Sequence, residues 1–243
     1  MKSQRQRFRF AAILLLTVPA IAAILAIHAV DNRLSDEDRR VIPRYLTGVA
    51  PLPAAPDYAA QLRFIGAVQA AVLAIAPGAG DGLPFDHTRE PKDLLEAGSG
   101  LCYDRSRAIE KVLRSAGLET RHLALFAIPE GGSALDALLK PGVDSHAVTE
   151  VLTRAGWLVV DSNHHWLSLD AAGRPVSIAT IARTARGKSA VDWRQPPPAG
   201  IYNRPFVSVI GLYSRHGRFY PPYDRIPDVN YGELLQNLTG GPR

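Results

Sequence analysis

Twenty consecutive residues, Ala11 to Val30, contain no Asp, Glu, Lys or Arg, and this stretch divides the chain before any other feature is read. About 20 such residues in a helix cross the hydrocarbon core of a bilayer. Lys2, Arg5, Arg7 and Arg9 precede the stretch and Asp31 follows it. That asymmetry puts the N-terminus in the cytoplasm and everything after Asp31 on the far side. The rival reading is a cleaved signal peptide, whose apolar core is usually about 7–15 residues and ends in an A-x-A-like site. Here the stretch is longer, and Ile27–His28–Ala29 makes a poor site. An uncleaved signal anchor is therefore preferred. The expected organisation is a basic tail over 1–10, a transmembrane anchor over 11–30, a linker with a short helix over 31–56, and one domain over 57–243. The location that follows is the cell inner membrane, single-pass, with the domain facing the periplasm.

The net charge of +5 comes mostly from the tail, whose four basic residues leave about +1 for the remainder. A basic chain is ordinarily a candidate for nucleic-acid binding. Charge confined to a membrane-flanking tail has a different explanation, and no nucleic-acid partner is expected. The chain has one cysteine, Cys102, so an exported domain would contain no internal disulfide. A free thiol outside the cytoplasm is open to oxidation, which argues for a use.

Ser35–Asp36–Glu37 opens a short helix that should end near Pro43, and Pro51, Pro53 and Pro56 form a linker. Asp57 is a plausible N-cap for a helix to Ala76, with Tyr58, Leu62, Ile65, Val72 and Ile75 on the apolar side and Gln61, Arg63 and Gln69 elsewhere. Its apolar run is too short and interrupted for a second membrane span. Pro91 to Ala97 suits a helical turn, and Leu101 to Ala116 a helix stopped by Gly117. Leu123 to Ile128, Ala147 to Leu152 and Trp157 to Val160 read as strands, the last two as a hairpin through Arg154–Ala155–Gly156. Pro129 to Asp144 reads as a loop, Thr184 to Gly200 has no clear element, and Phe206 to Tyr213 is a further strand.

Three segments carry chemistry in order: Gly-Ser-Gly-Leu-Cys-Tyr-Asp at 98–104, Ser-His-Ala-Val at 145–148 and Trp-Leu-Val-Val-Asp at 157–161. A thiol becomes a strong nucleophile only as a thiolate. Cys102 falls at the start of a helix, where free N–H groups and the helix dipole favour negative charge. The cysteine N–H there could also donate to the oxyanion of a tetrahedral intermediate. His146, beginning a strand, is the candidate base and acid. Asp161 ends the neighbouring strand, about 4.8 Å away in a hairpin, and would orient the imidazole.

These segments resemble the transglutaminase-like superfamily, a branch of the papain-like cysteine enzymes. Residues 89–102 resemble its approach to the catalytic cysteine, Arg105 to His122 its following helix and the lead into the sheet, and His-Ala-Val-Thr-Glu-Val at 146–151 and Gly-Trp-Leu-Val-Val-Asp at 156–161 its histidine and aspartate strands. The resemblance covers a core at 84–166, with a C-terminal extension at 184–243. It implies a bacterial membrane-anchored member of α+β class, with a Cys-bearing helix packed on an antiparallel sheet. It also implies a Cys102–His146–Asp161 triad that attacks an amide through a thioester. Residue 101 is Leu where many members have a small or acidic residue.

Hydrolysis, as a peptidase or amidase, is favoured over transglutamination because water is the default acceptor. The expected partner is an envelope-associated peptide or protein amide, and no metal or organic cofactor is implied. Tyr103, His87, Trp166 and His164 are candidate substrate contacts. His164 and His165 with Asp161 lack zinc-ligand spacing and read as rim or loop residues. The tyrosines near the C-terminus read as a cap on the sheet. The alternative is a catalytically silent, membrane-tethered binding or assembly module of the cell envelope, against which the intact Cys, His and Asp argue.

Overall fold

A computed structural model describes residues 17–78, 83, 89–213 and 227–239. The expected anchor enters it as α1 (Thr17–Ile27), whose side chains are exposed. Residues 11–16 of the expected span, the basic tail and His87 lie outside the described residues. Helix α2 (Asp36–Tyr45) starts at Ser35, whose Oγ accepts from Asp38 N while Ser35 N donates to Asp38 Oδ2 at 2.8 Å. This reciprocal pair satisfies amides that a helix start leaves without acceptors. The helix continues two residues beyond Pro43, because Tyr45 is buried and its hydroxyl donates to Pro91 O at 2.6 Å.

Helix α3 (Tyr58–Ile75) is capped by Asp57, whose carboxylate accepts from Ala60 N at 2.7 Å. Among the described helices it alone is long and apolar enough to cross a membrane. Phe64, Ile65, Val68 and Val72 are instead buried in the domain core. Gln61 and Gln69, which the periodicity put off the apolar side, are buried too. Each bonds to a turn of the sheet: Gln61 Oε1 accepts from Arg154 N at 2.9 Å, and Gln69 serves the loop after residue 160.

Two further helices lead into the sheet, α4 (Pro91–Ala97) and α5 (Cys102–Ser115). The sheet comprises β1 (Thr120–Ala127), β2 (Ser145–Thr153), β3 (Gly156–Val160) and β4 (Phe206–Ile210), in the order β3-β2-β1-β4 with every pair antiparallel. Ala108, Ile109, Val112 and Leu113 of α5 join Val151, Leu158 and Val160 of the sheet and the α3 side chains in one buried cluster. Fully burying an aliphatic side chain of this size contributes roughly 1.5–3 kcal/mol, so this cluster holds the cysteine helix to the strands. Helices on an antiparallel sheet were expected and are found.

The loop expected at 129–144 contains α6 (Ala134–Leu139), started by a Ser133–Asp136 capping box and held by buried Ala137. After the hairpin come α7 (Ile178–Ala185), read as irregular from its later residues, and a 3-10 turn at Ile201–Asn203. The strand expected over 206–213 is cut at Gly211 into β4 and β5 (Leu212–Tyr213). Gly211 has φ +76°, and a Cβ there would come within 2.6 Å of Leu234 N, so only glycine turns the chain at this point. β5 pairs with β6 (Asp228–Val229), which leads to α8 (Tyr231–Thr239) against β4.

Candidate active site

Cys102 is the first residue of α5 and is partly buried. The turn before it is tightly built. Gly98 has φ +61°, and a Cβ on Gly100 would lie 2.5 Å from Leu94 Cδ1 and 3.1 Å from Asp104 Cβ. Both positions therefore call for glycine, one for its backbone and the other for close approach. Asp104, in the first turn, accepts from Leu101 N at 2.9 Å through Oδ2 and from Arg89 Nη1 at 2.8 Å through Oδ1. Arg105 reaches the other way, donating to Ser162 O at 2.6 Å and to the Asn163 side chain. The start of α5 is thus tied both to the segment before it and to the loop that follows β3.

His146 and Asp161 meet as the hairpin register requires. Thr149 pairs with Val160, so one residue past β3 reaches back toward the start of β2. His146 Nε2 lies 2.8 Å from Asp161 Oδ2, and both residues are buried. The other ring nitrogen is left for Cys102, whose interaction with the ring favours the charged imidazolium. Burial alone would lower the imidazole. The bond to Asp161 and the interaction with Cys102 outweigh it and push His146 up to about 10, so the ring carries its proton at neutral pH. Burial likewise opposes the Asp161 charge, yet donors from His146, Tyr202 and Asn163 N hold the carboxyl well below its usual range.

Asp161 is saturated with donors. Oδ1 accepts from Asn163 N and His164 N, each at 2.7 Å, and from His164 Nδ1 at 3.2 Å. Oδ2 accepts from Tyr202 Oη at 2.6 Å as well as from His146. Gln69 Nε2 holds the same loop by its backbone, sharing its two protons among the carbonyls of Asp161, His164 and Trp166 at 2.7–3.0 Å. Burial and the adjacent Asp161 charge keep the Tyr202 phenol well above its ordinary value, so it remains a donor. Its ring meets His146 edge-on at 6.0 Å and lies 5.0 Å from the Trp166 ring.

Tyr202, Gln69 and Arg105 were not singled out from the sequence. Tyr202 sits in a proline-rich stretch with no motif around it. Gln69 had a signal, a polar residue within an apolar helix, and it was read as facing away from the core.

Of the expected substrate contacts, His164 stands beside the carboxylate with most of its side chain in solvent. Tyr103 and Trp166 are corrected. Tyr103 is buried, with the Arg89 guanidinium 4.5 Å from its ring centre. Trp166 is buried behind Asp161, and its Nε1 donates to Gln195 O at 3.0 Å. Each is large and apolar enough that packing claimed it. Among the described residues no group of three or more His, Cys, Asp and Glu is arranged to hold a metal ion.

A cavity of about 990 Å³ is lined by residues that include Ile128, Lys140, Asp144, Arg186 and Arg204, and by none of Cys102, His146 and Asp161. A larger one, about 1130 Å³, lies by residues 29–39 and the far end of α5 at Lys111 and Arg114. At 1.5 Å per helical residue that is roughly 13–18 Å along α5 from Cys102.

A helix-borne cysteine thus stands with a His–Asp pair presented by β2 and the residue after β3. Residues 69–162 match the family model described as the transglutaminase-like superfamily. Residues 69–162 are thus similar to a transglutaminase-like domain. The matched segment runs from Gln69 to Ser162 and contains Cys102, His146 and Asp161, while Tyr202 lies beyond it. The transglutaminase-like fold is generally that of cysteine-type enzymes. No curated protein matches the chain significantly.

Proposed function

We propose that the protein is an extracytoplasmic cysteine-dependent acyl-transfer enzyme that cleaves an amide bond, with Cys102 as nucleophile, His146 as acid and base, and Asp161 orienting the imidazole. The observation that carries this reading is the chain of contacts from Cys102 at the first position of α5, through His146, to Asp161 Oδ2. The Cys102 sulfur attacks the substrate carbonyl carbon, and the C–S bond forms as the carbonyl π electrons move to oxygen. The Cys102 N–H, in the first helical turn, is a donor suited to that oxyanion. The His146 imidazolium then gives its proton to the leaving nitrogen as the C–N bond breaks, leaving a thioester. Neutral His146 takes a proton from water, whose oxygen attacks the thioester. Collapse releases the carboxylic acid and returns the thiolate–imidazolium pair.

Hydrolysis is the favoured outcome, since His146 activates whichever acceptor is present and water is the most abundant. The expected substrate is a peptide or protein amide of the cell envelope. The test is intact-mass spectrometry after incubation with envelope extract. An acyl adduct on Cys102 that is trapped at low pH, and is absent in Cys102→Ala, supports the assignment. The assignment falls if Cys102→Ala turns over substrate as the wild type does, or if the thiol of the folded protein resists alkylation.

A further inference from the structure

Among the described residues, every exposed large hydrophobic side chain lies on α1, α6 or α8. On α8, Tyr231, Leu235 and Leu238 recur at i, i+4 and i+7, so they form one stripe, with Leu235 60% and Leu238 84% exposed. The only charged residue of α8, Glu233, is buried. On α6, Leu135 and Leu139 are i and i+4 and each is 63% exposed. Both helices pack their other sides on β4, and Ala137, Leu138 and Leu234 join one cluster beneath them. A soluble surface gives no reason to gather its apolar side chains in this way.

The position of α8 relative to α1 says what covers them. Val30 N donates to Val229 O and Val229 N donates to His28 O, each at 2.9 Å, so the chain leaving α1 pairs with the strand leading into α8. His28 Nδ1 lies 2.9 Å from Asp228 Oδ1. Tyr231 Oη donates to Leu25 O at 3.1 Å, within the last turn of α1. Whatever surrounds the end of the apolar N-terminal helix therefore also meets the first turn of α8.

We propose that α8 and α6 are interfacial helices, seated with Tyr231, Leu235, Leu238, Leu135 and Leu139 in the headgroup–acyl boundary of the bilayer that holds α1. This rests on the membrane-anchor reading of residues 11–30. An amphipathic helix lying in the interface buries its apolar face about 5–10 Å into that boundary. Seating two such helices fixes the orientation of the domain, which one flexible anchor would leave free. The segment carrying α6 leads directly into His146, so the active site would open close to the lipid.

The test uses the full chain in vesicles of phosphatidylethanolamine and phosphatidylglycerol. In a Cys102→Ser background, nitroxide labels are placed singly through Leu238→Cys, Leu135→Cys, Ile21→Cys and, on the β2–β3 turn, Arg154→Cys. Power saturation with oxygen and a nickel chelate reads depth. The expected result is several-fold greater oxygen than nickel accessibility at 21, 135 and 238, and the reverse at 154. Nickel access at 135 and 238 with 21 in lipid overturns the proposal and leaves the anchor standing. Nickel access at 21 as well overturns the anchor, and the proposal with it. Spin–spin broadening at 238 would show that a second copy covers the face, which also overturns it. Hydrogen exchange of the unlabelled chain gives a check independent of label-induced unfolding: vesicles should slow exchange across residues 231–239, and unchanged exchange there counts against the proposal.

Discussion

Asp161 Oδ2 receives two donors at short range, His146 Nε2 and Tyr202 Oη, and they serve different ends. The first couples the carboxylate to the imidazole, and the second stabilises its charge from behind. His146, raised to about 10 from an ordinary 6.5, adds stability that is fully present below pH 6.5 and is lost as pH rises through 10. Asp161→Asn removes that support, so the His146 imidazole resonances should titrate nearer 6.5 by NMR, and the alkaline limb of turnover should move down with them. Unchanged titration would mean that the carboxylate does not hold the proton on the ring. Tyr202 acts at the other end of the scale. The lowered Asp161 pKa contributes stability above the ordinary value of 3.8 that is lost as pH falls through the folded-state value. Tyr202→Phe keeps the ring packing but removes one donor to a buried charge. It should cost about 1.5–3 kcal/mol at neutral pH and move the acid-unfolding midpoint to higher pH, read by circular dichroism.

The elements present the site through their ends. Both α5 and β2 deliver a candidate catalytic residue at or beside their first position, and β3 delivers one just past its last. The end of α5 was legible because two glycines precede a helical pattern, and the hairpin because its alternation is interrupted by Arg154–Ala155–Gly156. Gly100 is the sharpest local requirement. Gly100→Ala forces a Cβ into Leu94 and Asp104, which displaces the carboxylate that caps Leu101 N. The expected cost is roughly 1–3 kcal/mol by denaturant unfolding, with slower alkylation of Cys102. Wild-type stability and reactivity would show that the turn has room to spare. Helices α6, α7 and α8 were less legible. Each is short, and each is held by contacts with β4 rather than by a long apolar period.

Across the whole molecule, α5 has a second polar side whose partners come from both ends of the chain. Arg107 donates to Asn32 Oδ1 at 2.6 Å, Asp31 O at 2.9 Å, Glu90 Oε1 at 3.0 Å and Glu110 Oε2 at 3.2 Å. Tyr213 Oη lies 3.1 Å from Glu110 Oε1 and 3.0 Å from Glu233 Oε2 on α8, with one proton to donate to either carboxylate. Burial and the nearby Glu110 push Glu233 up to about 7, so this carboxyl titrates around neutrality. Arg107→Met removes one of the two cations 3.2 Å from buried Glu110 and leaves Arg114 Nε, so the loss should fall below the ~3–5 kcal/mol of a buried pair broken outright. Denaturant unfolding should show that loss, together with faster hydrogen exchange at residues 228–239. A loss confined to α5 would mean that the chain termini dock independently of this network.

The order Gly-x-Gly-Leu-Cys, Ser-His and Val-Val-Asp is written in local sequence, because turn glycines, helix starts and strand alternation each act over a few residues. From that order came the helix, the hairpin and the residues they present. The tertiary structure alone decided what surrounds them. Tyr202 reaches Asp161 from 41 residues away and Gln69 from 92. Tyr103 and Trp166 turned inward because a large buried ring gains more from packing than from lining a cleft. Such contacts depend on which surfaces meet when distant segments fold together, and no local pattern encodes that meeting.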